Sequence, residues 1–193
     1  KGRYRCITYD HRGQGGSEVT AHGYDTETLT ADAEALIETL GVQSCHFVGL
    51  SMGGFVGMRL ALRRPELLRS LTLIGTSADP EPPENLPRYR ALNFVARWFG
   101  LGIVAGRVMP IMFSQSYLND AARAAERDAW RQRLVANDRI GITRAVKGAI
   151  YRKGVSEEIK GIETPTLIIV GEEDVATVPE KSERIHAAIA GSK

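Results

Sequence analysis

The chain has 193 residues, of which 25 are basic and 23 acidic, and its formal net charge is +2. This balance lacks the basic excess of nucleic-acid-binding proteins, and the length is that of one domain with a buried core. The most apolar stretch, residues 91–113, contains Arg97, Arg107 and Pro110, so we expect no membrane span and predict neither a nucleic acid nor a membrane as a partner.

The first predicted element is a strand over residues 5–9, which is followed by a glycine-rich loop over residues 10–17. Cys6 lies in this strand and Cys45 at the start of the next one, away from the carboxyl ends where parallel sheets place their chemistry. Neither cysteine has the spacing of a metal-binding or redox motif. We therefore expect two reduced thiols, no metal and no cofactor, and a cytoplasmic location.

A helix is predicted from Thr26, taken as its N-cap, to a stop at Gly41. Its apolar positions recur at helical spacing: Leu29, Ala33, Leu36, Ile37 and Leu40. The helix connects the first predicted strand to a second one, which contains Phe47 and Val48. A strand, a helix and a strand in this order favour a parallel pair of strands.

The most informative motif follows this second strand and reads Gly49-Leu50-Ser51-Met52-Gly53. The pattern G-x-S-x-G between a strand and a helix predicts a sharp turn that exposes the Ser51 hydroxyl as a nucleophile. Glycines on both sides would let neighbouring backbone pass without a Cβ clash. Because a helix begins directly after Ser51, we predict that the Met52 backbone N–H donates to a developing oxyanion. The alternative is a serine that only caps the helix.

After this turn, a helix is predicted over residues 52–64, and a strand over residues 71–75. The proline-rich residues 79–83 then mark a boundary. Three amphipathic helical stretches follow, at residues 87–113, 119–136 and 139–151. Their large apolar side chains either line a substrate pocket or only hold the helices on the core: Phe94, Trp98, Phe99, Met109, Met112 and Phe113.

A last predicted strand, residues 167–170, leads into Gly171-Glu172-Glu173-Asp174, and Pro179 begins a helix that stops at Gly191. A carboxylate directly after a parallel strand lies at the edge where such sheets place their chemistry. There it can orient the imidazole that deprotonates a serine. The alternation of strands and helices predicts an α/β fold, with a mostly parallel sheet and helices on both faces.

Four of these segments resemble the α/β-hydrolase superfamily. They are the loop motif D-x-R-G-x-G-x-S over residues 10–17, the turn at Ser51, the strand over residues 70–75 and the strand before Asp174. The resemblance implies Ser51 as the nucleophile and Asp174 as the acid of a catalytic triad. The family's G-x-x-D spacing selects Asp174 over its neighbours Glu172 and Glu173.

The resemblance also implies how the chain is divided. Residues 1–79 would form the first part of the α/β core, residues 80–152 a helical lid, and residues 153–193 the second part of the core. Asp79, which follows the strand before the lid, is the second choice for the acid, because some relatives carry their acid there.

The family's triad places a histidine after the acid in chain order. After Asp174 only His186 remains, and its place inside a predicted helix argues against that role. His46 precedes the nucleophile at the other end of its strand, His22 lies in a loop, and His11 resembles a loop-fixing position of the family. We therefore expect no catalytic histidine in this sequence.

Compared with the superfamily, the sequence starts at the fourth strand and stops before the last one. We therefore expect two parts of the family's fold to be missing. They are the N-terminal strands, with the second oxyanion donor, and the C-terminal segment with the histidine. The family's third strand lies between the fourth strand and the strand before Ser51, and its absence would leave unpaired strand edges. Three explanations are open. The sequence is part of a longer polypeptide, which we favour, or another chain fills the gap, or residues 5–9 pair directly with the strand before Ser51.

The turn at Ser51, together with residues 73–78, is similar to lid-bearing carboxylesterases and 3-oxoadipate enol-lactonases. We predict a serine hydrolase that cleaves a small carboxylic ester or lactone through an acyl-enzyme. We expect no partner other than this small-molecule substrate, and the sequence leaves the oligomeric state open. The alternatives are a C–C bond hydrolase or a perhydrolase with the same turn, and a non-catalytic ligand-binding protein on the same scaffold.

Overall fold

The computed structural model describes residues 2–193 and has a three-stranded parallel sheet at its centre. The strands are β1, Cys45–Leu50; β2, Leu68–Ile74; and β3, Thr166–Ile169. They are hydrogen-bonded in the order β1-β2-β3, with Leu50 opposite Ile74 and Ile74 opposite Ile169. These three residues are the last of their strands, so the carboxyl ends meet at one edge of the sheet.

Two helices flank β1 in the chain. They are α1, Thr26–Thr39, and α2, Met52–Arg63. The Asp25 side chain accepts the Thr28 N–H at 2.9 Å, so the N-cap of α1 is Asp25 and not Thr26 as predicted. After α1 the chain reverses at Gly41, whose φ of 65° agrees with the predicted stop.

The main hydrophobic core lies between the sheet, α2 and the last helix, α8, Pro179–Ala188. Several of its side chains have no exposed surface: Met58, Leu60, Leu71, Leu73 and Ile185. Each fully buried side chain of this size contributes about 1.5–3 kcal/mol to folding. The core therefore holds α2 firmly against β2.

Five α-helices lie between β2 and β3. They are α3, Leu86–Phe99; α4, Leu101–Met112; α5, Gln115–Asn119; α6, Ala124–Ala136; and α7, Arg139–Ile150. The sequence predicted one helical stretch over residues 87–113, but Gly100 divides it, because a φ of 105° lies outside the helical range. We call residues 86–150 the inserted helices.

Arg152 links the two chain segments that connect the inserted helices to the core. Its guanidinium donates to the Asp79 carbonyl and to the Glu81 carboxylate, both at 3.1 Å, and lies 4.2 Å from the centroid of the Phe55 ring. The side chains of Arg152 and Glu81 are only 4% and 9% exposed. The chain segments that enter and leave the inserted helices are thus held together at the core.

The strand predicted over residues 5–9 is not found, and this part of the prediction is wrong. Residues 2–10 form no strand, and their direct pairing with β1 is excluded because β1 pairs only with β2 in the described chain. Instead, Tyr4 makes an edge contact with His46, with ring centroids 5.8 Å apart. A strand needs a hydrogen-bonded neighbour, and residues 2–193 supply none at this position.

The predicted α/β fold class is confirmed, with a parallel sheet connected and covered by helices. The three-stranded sheet is consistent with the incomplete fold that the sequence implied. Alternate side chains of the outer strands also remain exposed: Val48, Leu50, Leu167 and Ile169.

Candidate active site

Ser51 lies between β1 and α2 in a strained backbone conformation. Its φ is 49° and its ψ is −107°. Among residues 2–193 it is the only residue other than glycine with a positive φ. Such a conformation costs about 1–3 kcal/mol and persists only where the surrounding structure imposes it. The sharp turn predicted from the sequence is present.

The Ser51 side chain is exposed and is not used as a helix cap. The residue occupies the N-cap position of α2, yet its hydroxyl makes no capping hydrogen bond. The alternative of a serine that only caps the helix is therefore wrong. Met52, the predicted oxyanion donor, is the first residue of α2, where a backbone N–H has no partner within the helix.

The two glycines of the motif have different roles. A Cβ at Gly49 would overlap the backbone carbonyl of Gly53 and lie 2.7 Å from the Gly54 nitrogen. A Cβ at Gly53 would meet no atom within 4 Å. The close backbone approach expected on both sides of Ser51 is thus confirmed for Gly49 only, and the second tight position is Gly54, where a Cβ would lie 2.6 Å from the Thr76 Cβ.

The last residue of β2 and the residues after it anchor the backbone of Ser51. Its N–H donates to the Ile74 carbonyl at 2.9 Å. Its carbonyl accepts the Thr76 hydroxyl at 2.8 Å and the Gly54 N–H at 2.9 Å. Thr76 has no exposed surface. This contact was not predictable from the sequence, because a threonine after a strand of apolar residues has no distinctive pattern.

A second contact missed by the sequence joins the loop over residues 10–17 to the Ser51 turn. The Gln14 side-chain amide donates to the Met52 sulfur at 3.5 Å. The loop is closed on itself, because the Asp10 carboxylate accepts the Gly16 N–H at 2.9 Å and the Asp10 carbonyl accepts the Ser17 hydroxyl at 2.6 Å. Gln14 therefore lies beside the predicted oxyanion donor.

Asp174 lies in a tight turn after β3, with its carboxylate next to the end of β2. Its Oδ1 accepts the N–H groups of Ala176 and Thr177 at 2.9 and 2.7 Å, and its Oδ2 accepts the Thr177 hydroxyl at 2.8 Å. A Cβ at Gly75 would lie 3.1 Å from the Asp174 Oδ2. Because Ile74, the residue before Gly75, binds the backbone of Ser51, the structure brings both predicted triad residues to the same edge of the sheet.

Asp79, the second choice for the acid, is engaged elsewhere. Its carboxylate accepts the Ser156 hydroxyl at 2.7 Å and two guanidinium N–H groups of Arg184 at 2.6 and 3.1 Å. Burial alone would raise the pKa of Asp79, but the hydrogen bonds from Arg184 and Ser156 outweigh it and lower the pKa below its ordinary value of 3.8. These contacts give Asp79 a structural role at the base of the inserted helices.

Of the two glutamates before Asp174, one makes a different structural contact and the other has no role that the structure identifies. Glu173 accepts the backbone N–H of Ser116 in α5 at 3.0 Å, and hydrogen bonds from Ser116 lower the pKa of Glu173. This contact connects the inserted helices to the turn after β3. Glu172 is exposed. The assignment of Asp174 as the acid stays a prediction.

The four histidines lie in different parts of the structure, and none is hydrogen-bonded to Ser51 or Asp174 within residues 2–193. The Nδ1 of His46 contacts the Ser70 hydroxyl and that of His186 contacts the Ser192 hydroxyl, each at 2.8 Å. His22 is exposed in its loop. His11 packs against Tyr9 with ring centroids 5.1 Å apart, and burial lowers the pKa of His11.

The six apolar residues considered as pocket lining do not enclose a cavity together. Four of them are more than half exposed: Phe94, Trp98, Phe99 and Met112. Met109 is buried, and Phe113 is half-buried and stacks on Tyr117 with centroids 4.9 Å apart. A shallow groove between α3 and α4, with a volume of about 420 Å³, is lined by other residues, among them Arg88 and Arg107. The identity of a substrate pocket stays a prediction.

Residues 2–193 hold no group of three histidine, cysteine, aspartate or glutamate side chains able to bind a metal ion. Both cysteines are unpaired, Cys6 exposed and Cys45 half-buried. In the same residues, no helix combines the length and the apolar character that crossing a bilayer requires.

Comparisons with known proteins agree with this geometry. A family model described as "alpha/beta hydrolase fold" matches residues 1–193. The putative carbamate hydrolase RutD of Stutzerimonas stutzeri is 29% identical over 192 residues, which cover 94% of this chain and 68% of that protein. The putative non-heme bromoperoxidase BpoC of Mycobacterium tuberculosis is 48% identical over 73 residues, which cover 38% of this chain and 28% of that protein.

A solved structure matches most of this chain. The crystal structure of the enol-lactonase from Burkholderia xenovorans LB400 superposes with a TM-score of 0.87 at 31% identity, covering 96% of this chain and 69% of that one. The family model, the sequence relatives and the strained serine turn all point the same way, and the chain belongs to the α/β hydrolase fold family.

Proposed function

We propose that the complete protein hydrolyses a small carboxylic ester or lactone through an acyl-enzyme formed on Ser51. The observation that carries this proposal is the Ser51 turn. Within residues 2–193, Ser51 is the only residue other than glycine with a positive φ, and its exposed hydroxyl makes no capping hydrogen bond. Strain that the surrounding structure maintains at an exposed serine is characteristic of a functional site. A serine with only a structural role would not need it.

The proposed reaction has two steps. The Ser51 Oγ attacks the carbonyl carbon of the substrate while a histidine takes its proton, and the Met52 N–H donates to the oxyanion. Collapse of the tetrahedral intermediate expels the alcohol, which receives the proton from the histidine, and leaves an ester on Ser51. Water then attacks this ester by the same route and releases the acid. Asp174 would orient the histidine, for which we assign no residue of the present sequence.

The relatives support hydrolysis in general. Their names describe a putative carbamate hydrolase and an enol-lactonase. Carbamates and lactones both contain an acyl carbon that a nucleophile can attack. Ester or lactone cleavage by this chain is the finer part of the proposal. It is supported by the 31% identity to the enol-lactonase and by Asp174 at the same sheet edge as Ser51.

Perhydrolysis is a second candidate, favoured by the 48% identity over 73 residues to the putative non-heme bromoperoxidase. The acyl-enzyme would then be attacked by hydrogen peroxide in place of water, which releases a peracid and regenerates Ser51. Both reactions share the first step. They differ in the nucleophile of the second.

The test is hydrolysis of p-nitrophenyl acetate by the complete protein and by Ser51→Ala, with Ser70→Ala as a matched control near the amino end of β2. We expect loss of activity only in Ser51→Ala. Equal activity in wild type and Ser51→Ala, or none in a folded wild type, would refute the proposal. Added hydrogen peroxide distinguishes the second candidate, because a perhydrolase would then produce peracetic acid from the same acyl-enzyme.

A further inference from the structure

We propose that Thr76 is a positioning residue that aims the oxyanion-binding N–H of Met52. It would do so by holding the peptide unit that connects Ser51 to Met52. This inference rests on the proposed function and adds a residue to its site that neither the motif nor the comparisons assign.

The geometry of one peptide group carries the inference. The Thr76 hydroxyl donates to the Ser51 carbonyl at 2.8 Å. That carbonyl and the Met52 N–H belong to the same peptide unit, which is planar and trans, since no cis bond occurs within residues 2–193. A bond that fixes the direction of the carbonyl oxygen therefore also fixes the direction of the N–H on the opposite side. The hydroxyl of Thr76 acts on the oxyanion donor through a rigid connection.

The surroundings leave Thr76 little freedom. The residue has no exposed surface, so water cannot replace its hydroxyl without a rearrangement. Gly54 allows the close approach, because a Cβ there would lie 2.6 Å from the Thr76 Cβ. Thr76 itself follows Gly75, whose N–H donates to the Ile169 carbonyl at 2.9 Å. The hydroxyl is thus attached to the sheet rather than to the helix that it orients.

The contact is not needed merely to satisfy the Ser51 carbonyl. That oxygen already accepts the Gly54 N–H at 2.9 Å, and the Phe55 N–H is 3.3 Å away. Both of these donors belong to α2 and would move together with the peptide if the helix tilted. The Thr76 hydroxyl and the bond from the Ser51 N–H to Ile74 are the connections of this turn to β2 and the residues after it. Together they set the orientation of the turn against the sheet.

The test compares Thr76→Val, which keeps the shape and removes the hydroxyl, with Thr76→Ser, which keeps the hydroxyl. The matched control is Thr30→Val, because Thr30 also has no exposed surface and donates to a backbone carbonyl, that of Thr26, at 2.7 Å in α1. Steady-state hydrolysis of p-nitrophenyl acetate by the complete protein gives kcat and KM for each variant. Folding of each variant is checked by circular dichroism.

We expect Thr76→Val to lower kcat about tenfold and to change KM less than about twofold. Loss of an entire oxyanion donor lowers kcat about 10²–10³-fold, and the effect here is smaller because the donor is only misdirected. Thr76→Ser should recover most of the activity. Thr30→Val should keep the wild-type kcat.

The inference is overturned if Thr76→Val keeps the wild-type kcat, if Thr76→Ser is as slow as Thr76→Val, or if Thr30→Val is slowed equally. If Thr76→Val does not fold, Thr76→Cys, which has only a weak S–H donor, decides instead: a kcat below that of Thr76→Ser supports the inference, and a wild-type kcat overturns it. A folded wild type without any hydrolysis would refute the proposed function itself, a result distinct from wild-type kcat in Thr76→Val.

Discussion

The two glycines of the serine motif should respond in opposite ways to the same substitution. In Gly49→Ala the new Cβ would overlap the Gly53 carbonyl and lie 2.7 Å from the Gly54 nitrogen. Cβ atoms in proteins essentially never come closer than 3.0 Å to such neighbouring atoms. These are backbone atoms at the start of α2, so relief requires a shift of the helix and not of a flexible side chain. Forcing such a shift in a packed core costs about 1–3 kcal/mol or more.

Gly53→Ala has no such penalty, because its Cβ would meet nothing within 4 Å. Alanine is favoured over glycine in a helix by about 1 kcal/mol, and less near a helix end. We therefore expect Gly53→Ala to be neutral or slightly stabilising, and Gly49→Ala to be less stable than Gly53→Ala by about 1–4 kcal/mol.

Urea unfolding of the purified protein, followed by circular dichroism, measures this difference directly. The two variants add the same methyl group two residues from Ser51 on either side, so each is the control for the other. Equal loss of stability in both, or a greater loss in Gly53→Ala, would show that the described backbone approach at Gly49 is not what the motif requires.

Two further predictions concern the base of the inserted helices. Arg152→Met should lower the free energy of unfolding by about 3–5 kcal/mol in urea titrations, because the buried Glu81 carboxylate loses its cationic partner and keeps only the Asn85 amide as a side-chain donor; a loss below about 1 kcal/mol would contradict this. The depressed pKa of Asp79 should add stability that is present above pH 3.8 and is lost as the pH falls through the folded-state pKa. Asp79→Asn should therefore narrow the difference in stability between pH 7 and pH 3, and an unchanged difference would contradict the assigned ion pair with Arg184.

The parts of the fold that depend on neighbouring residues in the chain were predictable. The turn at Ser51 follows from glycines, an apolar strand before it and a helix after it, all within a few residues. The division of the first inserted stretch at Gly100 was not predictable from glycine alone, since Gly102 and Gly106 of the same stretch lie inside α4. The N-cap of α1 was misplaced by one residue because Asp25 and Thr26 are adjacent residues of similar capping preference.

The parts that depend on distant contacts were not predictable. Residues 5–9 have the composition of a strand, but a strand exists only beside a hydrogen-bonding partner, and none lies next to them in residues 2–193. Thr76 lies 25 residues after Ser51 in the chain. The contact of its hydroxyl with Ser51 depends on the register between β1 and β2, which the sequence does not show. For the same reason the sequence did not show that Asp79 is held by Arg184, 105 residues later.

The most direct test of the central claim is to locate a covalent adduct on the protein. The complete protein is treated with a fluorophosphonate, digested, and analysed by tandem mass spectrometry. The strained and exposed hydroxyl predicts one modified residue, Ser51, with labelling prevented by prior denaturation. An adduct on any other residue, or an unmodified Ser51 in folded protein that hydrolyses p-nitrophenyl acetate, would contradict the claim that Ser51 is the nucleophile.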